Sequence, residues 1–144
     1  MPKETCSEAE HAEYANIGCQ ILDAYLEAFN TGDTLRWAAS LHYPHVRITG
    51  EQVQVWDTPE AFAGDNDLAL LAKQSNWAYS KWMWRKLVHY DPAKMQYLAQ
   101  SSRHTQNDIC ISSAQSLYVI TRIGSRWAVQ SRSTYVGACN DTSY

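Results

Sequence analysis

From Trp77 onward the chain carries no helical period, and this long tail constrains the fold more than any single motif. Asp91-Pro92, Asn107-Asp108 and Gly124-Ser125 punctuate it. Such dipeptides turn a chain rather than extend it, so four strands are predicted. Each runs about ten to fourteen residues, against the five or six usual for a strand. Long antiparallel strands twist and coil, and a four-stranded meander of this length must curl around something.

The candidates for that something lie upstream. Ser7 followed by Glu10 forms a capping box, in which each side chain satisfies a backbone donor at a helix start. Tyr14, Ile17, Ile21, Tyr25 and Phe29 then recur at helical spacing, flanked by Leu22 and Ala28, and Gly32 is placed to end the helix. Asp33 caps a second helix, predicted over 34–41, ahead of Pro44. In HVRITGEQVQVW, Val46 and Ile48 alternate with polar residues, Gly50 and Glu51 make a turn, and Val53 and Val55 alternate again, which reads as a hairpin. Thr58 and Pro59 start a third helix with Phe62, Leu68 and Leu71 on its buried side and Gly64 in its middle. The expected fold class is α+β, in the order α-α-β-β-α-β-β-β-β, with three helices packed in the concave side of a strongly bent antiparallel sheet. No repeat or linker interrupts the sequence, so a single domain is expected over 1–144, with 1–6 and 137–144 as flexible ends.

Charge and composition remove several function classes. A net charge of −3 and a pI near 5.9 leave no basic footprint for a phosphate backbone, so no nucleic-acid partner is expected. Lys81, Arg85 and Lys86 read as a solvated strand face. No span approaches the apolar length that a membrane helix needs, and no membrane partner is expected. The opening MPKETCSEAEHAEY has no apolar run and several acids, so neither a signal nor a transit peptide is predicted. Cys6, Cys19, Cys110 and Cys139 stand far apart with no CxxC pair. They fit reduced thiols in a cytoplasmic protein better than a disulfide or zinc framework, with a Cys6 to Cys139 bridge as the alternative.

Alternation divides the strand from Lys94 into an apolar set, Met95, Tyr97, Ala99, Ser101 and Arg103, which should face the helices, and a polar set beginning at Lys94. The inward set shrinks toward its middle, the next strand does the same over Ser112 to Ser116, and the last carries Ser131 and Ser133. Small polar residues at core positions mean either a partly hollow core or close helix-to-sheet packing with each hydroxyl bonded locally. The stretch WAYSKWMWRKLVHY (77–90) is apolar on both faces, and a strand of that kind needs cover on both. Its outer face is expected to meet a second copy of the chain, making a homodimer.

Three segments, AYLEAFNTGD (24–33), LHYPHVRITGEQVQVWDTPEAF (41–62) and SLYVITRIGSRWAVQSRS (116–133), together with the element order over nearly the whole chain, resemble the NTF2-like superfamily. This group of cone-shaped α+β domains includes ketosteroid isomerase, scytalone dehydratase, limonene epoxide hydrolase and the SnoaL-like cyclases. The resemblance implies a pocket inside the cone. In ketosteroid isomerase a tyrosine seven residues before the helix-ending glycine donates to the developing enolate, and Tyr25 stands at that distance from Gly32. A phenol so placed can stabilise charge formed in a transition state; alternatively Tyr25 belongs to the apolar stripe. The sequence departs from the family elsewhere. The isomerase's catalytic aspartate falls near Ile48 or Thr49, the dehydratase's aspartate resembles Asn30, and the hydrolase's Asp-Arg-Asp set has no counterpart.

Histidines supply the remaining titratable groups. His89 and His104, at strand ends, are candidate acids or bases beside Tyr25. His42 and His45 have metal-like spacing but no third ligand nearby, so no metal site is expected. Phe29, Trp56, Tyr79, Tyr97, Ser101 and Tyr118 are the expected pocket walls, and Arg122 and Arg132 are expected outside. No P-loop or glycine-rich dinucleotide motif occurs, and no cofactor is expected. Two functions follow: a cone that takes a small apolar metabolite and isomerises, dehydrates or cyclises it, or a non-catalytic homodimer that binds ligands or proteins.

Overall fold

The stripe read at positions 14 to 29 forms the inner face of α1 (Glu8–Asn30), where Leu22, Tyr25, Ala28 and Phe29 are buried. The computed structural model describes residues 8–140, so the Ser7 capping box and Cys6 lie outside the described residues. Gly32 adopts the left-handed conformation that ends the helix at low cost. Asn30 then exchanges two hydrogen bonds of 2.8 Å with the backbone of Ser80, fixing the helix end to the sheet. Asp33 caps α2 (Thr34–Ala39) by accepting from the Arg36 N–H. This helix stops two residues short of the expected end because the chain already joins the sheet at Leu41.

The strands are β1 (Leu41–Thr49), β2 (Gln52–Trp56), β3 (Tyr79–Tyr90), β4 (Lys94–His104), β5 (Cys110–Ile123) and β6 (Arg126–Gly137). They form one six-stranded sheet in the order β2-β1-β6-β5-β4-β3, antiparallel throughout except for the β1–β6 pair. Pro44 sits inside β1, where the pairing with β6 jumps from Leu41 to Val46; a residue with no N–H belongs at such an interruption. The helices fill the concave side, so the α+β order holds, with one difference. The third helix is two: α3 (Pro59–Asp65) and α4 (Leu68–Ser75). Asp67 accepts from the N–H groups of Ala69 and Leu70, so it starts a new helix where a continuous one was expected.

Two bulges in β3 break strict alternation. Pairing shifts between Trp82 and Trp84 and again between Leu87 and His89. Trp82 therefore turns inward onto Tyr118, while Trp84 turns outward and donates to Gln100 Oε1 at 3.0 Å. Arg85, expected in solvent, reaches α1 instead and pairs with Asp23 at 2.6 Å. On the concave side Tyr97 packs against α1, donating to the Ala15 carbonyl at 2.7 Å, and its ring occupies the space beside Gly18 where any larger residue's Cβ would stand.

The cysteine expectation is overturned. Cys110 and Cys139 form a disulfide, which excludes the Cys6 to Cys139 bridge and leaves Cys19 as the free thiol of the described residues. The start of the expected flexible end is held as well: Gly137 pairs with Ser113, whose hydroxyl donates to the Ala138 carbonyl at 2.6 Å. Among the described residues no helix is long and apolar enough to cross a membrane.

Candidate functional site

Three guanidinium groups meet where the sheet faces the helices. Arg47 on β1 and Arg132 on β6 are paired neighbours, and Arg103 reaches the same space from β4 across the small inward residues of β5. Together with Phe29, Trp37, Leu68 and Leu71 they line a cavity of about 220 Å³, whose rim is the exposed Asp65 and Asp67 with half-buried Asn66 at the α3–α4 corner, and the exposed Gln74 from the last turn of α4. Arg132 was expected outside. A pairing shift between Val119 and Ile120 moves β6 by one residue, so Val129 and Arg132 both face inward.

The electrostatics of this cluster are unusual. Burial, and then the neighbouring Arg132, push the Arg47 guanidinium down to about 10, and the same two causes lower Arg103. Arg132 moves the other way: burial alone would lower it, but the phenols of Tyr25 and Tyr118 outweigh burial. All three stay charged at neutral pH. Among the described residues no carboxylate lies within ion-pair distance of any of them. Arg47 donates to Gln54 Oε1 at 3.1 Å and lies over the Trp56 ring, and Arg132 donates to Tyr25 Oη at 3.4 Å. Buried cations are ordinarily matched by acids or by a bound anion.

The expected site residues divide between the two faces. Phe29 lines the cavity, and Tyr25 and Tyr118 stand behind it in edge-to-face contact, centroids 5.5 Å apart. Burial, then Tyr25, raises the Tyr118 phenol well above its ordinary range. Trp56 lies under Arg47 and donates to Asp65 Oδ2 at 2.9 Å. Tyr97 is committed to α1, and Ser101 shares the inward face with Arg103 one pair further along β4. Tyr79 and His104 lie on the convex face, opposite Arg103: their rings stack 5.1 Å apart, Tyr79 donates to Asp108, and Ser102 Oγ lies 2.7 Å from His104 Nε2. His89 is exposed at the far end of β3. The group facing Tyr25 is thus Arg132, not a histidine.

The hollow-or-packed question has a mixed answer. Ser116 bonds Thr134 at 2.8 Å and Ser113 bonds Gln100 and Ala138, so these serines are satisfied locally. The hollow lies among the arginines, and neither serine lines it. His45 is missing from the expected site but packs against it, 4% exposed among Trp56 and Phe62, and its Nδ1 has no hydrogen-bond partner. Burial, and then Arg132 and Arg47, lower its pKa to about 4. His42 bonds Thr121 Oγ1 at 3.0 Å.

Comparison with solved structures places this architecture. A putative calcium/calmodulin dependent protein kinase II association domain from Xanthomonas campestris matches over 98% of this chain and 95% of its own, at TM-score 0.63 and 11% identity. An NTF-2 like protein of unknown function from Shewanella oneidensis covers 83% of this chain and 97% of its own, at TM-score 0.61 and 13% identity. The chain has the NTF2-like fold. A structure from Catenulispora acidiphila, solved in complex with S-DNPA, covers 88% of this chain and 92% of its own, at TM-score 0.64 and 17% identity. No family model and no curated protein matches the sequence. Identities this low carry the NTF2-like fold alone, so function rests on the cavity.

Proposed function

We propose that this NTF2-like protein binds a small organic anion in its cone, with the anionic group on Arg47, Arg103 and Arg132 and the apolar body against Phe29, Trp37, Leu68 and Leu71. What carries the reading is the convergence of three half-buried guanidiniums with, among the described residues, no carboxylate in ion-pair reach. Bidentate donors of this kind match carboxylate or phosphate. The apolar metabolite expected from the sequence gains a charged end, and its size shrinks. A cavity of about 220 Å³ falls below the roughly 300–1,000 Å³ of pockets for drug-sized ligands, which disfavours steroids and long polyketides.

Thermal unfolding against matched pairs tests this. Benzoate and phenylphosphonate should stabilise the protein while benzamide does not, by about 2.7 kcal/mol at a hundredfold excess over the dissociation constant. Arg103→Met should abolish the acid-specific shift. Equal stabilisation by benzamide, or an intact shift in Arg103→Met, would sink the proposal.

Catalysis is the second reading, and the Arg132–Tyr25 contact favours it. A phenol polarised by a guanidinium can donate to a developing enolate, and Asp65 on the rim is the available base, as a cofactor-independent isomerase, lyase or cyclase would require. Tyr25→Phe should then abolish turnover of any substrate found while preserving anion binding; unchanged turnover removes this reading.

A second copy of the chain is our proposed cover for the convex face. Val53, Val55 and Tyr135 stand 64%, 57% and 71% exposed there, with Ile48 between them and Trp84 further along. Light scattering should give twice the chain mass for wild type and the single mass for Val55→Glu. A monomeric wild type at micromolar concentration would exclude this dimer.

A further inference from the structure

We infer that the ligand is bipolar, carrying an ammonium group opposite its anionic one. This deepens the anion reading and rests on it. The cavity is electrically divided: three guanidiniums stand on the sheet side, and Asp65 and Asp67 stand on the helix-side rim. These opposite charges share one cavity yet do not pair. The two acids are exposed, so solvent satisfies them in the free protein, and a ligand with a charge at each end can replace that solvent on both sides at once.

Each acid keeps a free acceptor for the second contact. Asp65 uses Oδ2 for Trp56 Nε1, and Asp67 uses Oδ1 for the α4 cap, leaving Asp65 Oδ1 and Asp67 Oδ2 without hydrogen-bond partners among the described residues. Among the described residues no lysine, arginine or histidine joins them on that rim. Between the two charged ends the wall is aromatic. Trp37 is 4% exposed, lines the cavity, and has an indole N–H with no partner, a donor that a ligand's carboxylate or ring substituent can satisfy. Aromatic faces also favour an approaching ammonium. A short rigid zwitterion, an aminoalkyl aromatic acid or an ω-amino acid, matches all three regions of a space this small.

The test compares nearly isosteric probes by calorimetry: 4-(aminomethyl)benzoate, 4-methylbenzoate, 4-(hydroxymethyl)benzoate and 4-methylbenzylamine. The zwitterion should bind about tenfold or more tighter than either acid lacking the amine. In Asp65→Asn/Asp67→Asn that advantage should vanish while 4-methylbenzoate binds at least as well as before. The variant keeps its fold, because asparagine caps helices as aspartate does and can still accept from Trp56. Methylbenzoate or hydroxymethylbenzoate binding as tightly as the zwitterion would overturn the bipolar inference and leave the anion reading standing. A zwitterion preference that survives in the double variant would also overturn it. Binding of 4-methylbenzylamine alone, or of none of the four at millimolar concentration, would overturn both.

Discussion

Reducing the Cys110–Cys139 bond is expected to lower the unfolding midpoint by on the order of 10 °C. The bond spans 29 residues, and cross-linking a loop of that size removes about 3.5 kcal/mol of chain entropy from the unfolded state. It joins the first residue of β5 to the segment that follows β6, beside the Ser113–Ala138 hydrogen bond. Ser112, two residues after Cys110, is the partner of Arg103 across the β4–β5 ladder, so the same staple supports one wall of the cavity. Differential scanning calorimetry with and without a phosphine reductant measures the effect. Cys110→Ser/Cys139→Ser should unfold at the reduced wild-type temperature and ignore the reductant. Equal midpoints for oxidised and reduced wild type, with thiol titration confirming both states, would show that the bond contributes nothing.

The fold was legible because its signals are local and redundant. The α1 stripe, Gly32, the Thr58-Pro59 start and three turn dipeptides each mark a boundary by a separate physical mechanism, and all recur in the structure. The cavity was not legible for one reason: the faces of the strands carry it, and single-residue bulges reassign faces without changing composition. Val46 and Ile48 are the apolar alternates that mark the hairpin, yet His45 and Arg47 face the core, while Ile48, Val53 and Val55 are exposed. Arg132 was placed outside by counting in twos across a pairing shift that no residue type announces. One signal was present: Arg103 falls in the same alternating set as Met95, Tyr97 and Ala99, with no bulge in β4 between them. An arginine at a core position asks for a counter-charge, and following that question would have led to the pocket. The disulfide pairing was hidden because cysteines 29 residues apart meet only once β5 and β6 pair.

The arginines also set how the protein responds to acid. His45 has its pKa lowered from 6.5 to about 4 in the folded state, first by burial and then by Arg132 and Arg47. A folded pKa below the unfolded one means that the unfolded chain takes up the proton first. Stability from the neutral imidazole is therefore complete above the unfolded value and falls as pH drops from about 6.5 toward 4, by about 3 kcal/mol in all. Urea unfolding of wild type and His45→Gln across that window isolates the effect, since carboxylate contributions cancel in the difference. The wild type should lose stability relative to the variant as pH falls; parallel curves would mean that His45 is not held neutral. The cavity adds a second step to this experiment. An anion seated on Arg47 and Arg132 cancels part of the repulsion that disfavours a charged His45, so it raises the folded pKa. Saturating ligand should therefore make the wild-type pH dependence shallower, and the same ligand should bind more tightly at pH 5 than at pH 7.5 in wild type but not in His45→Gln.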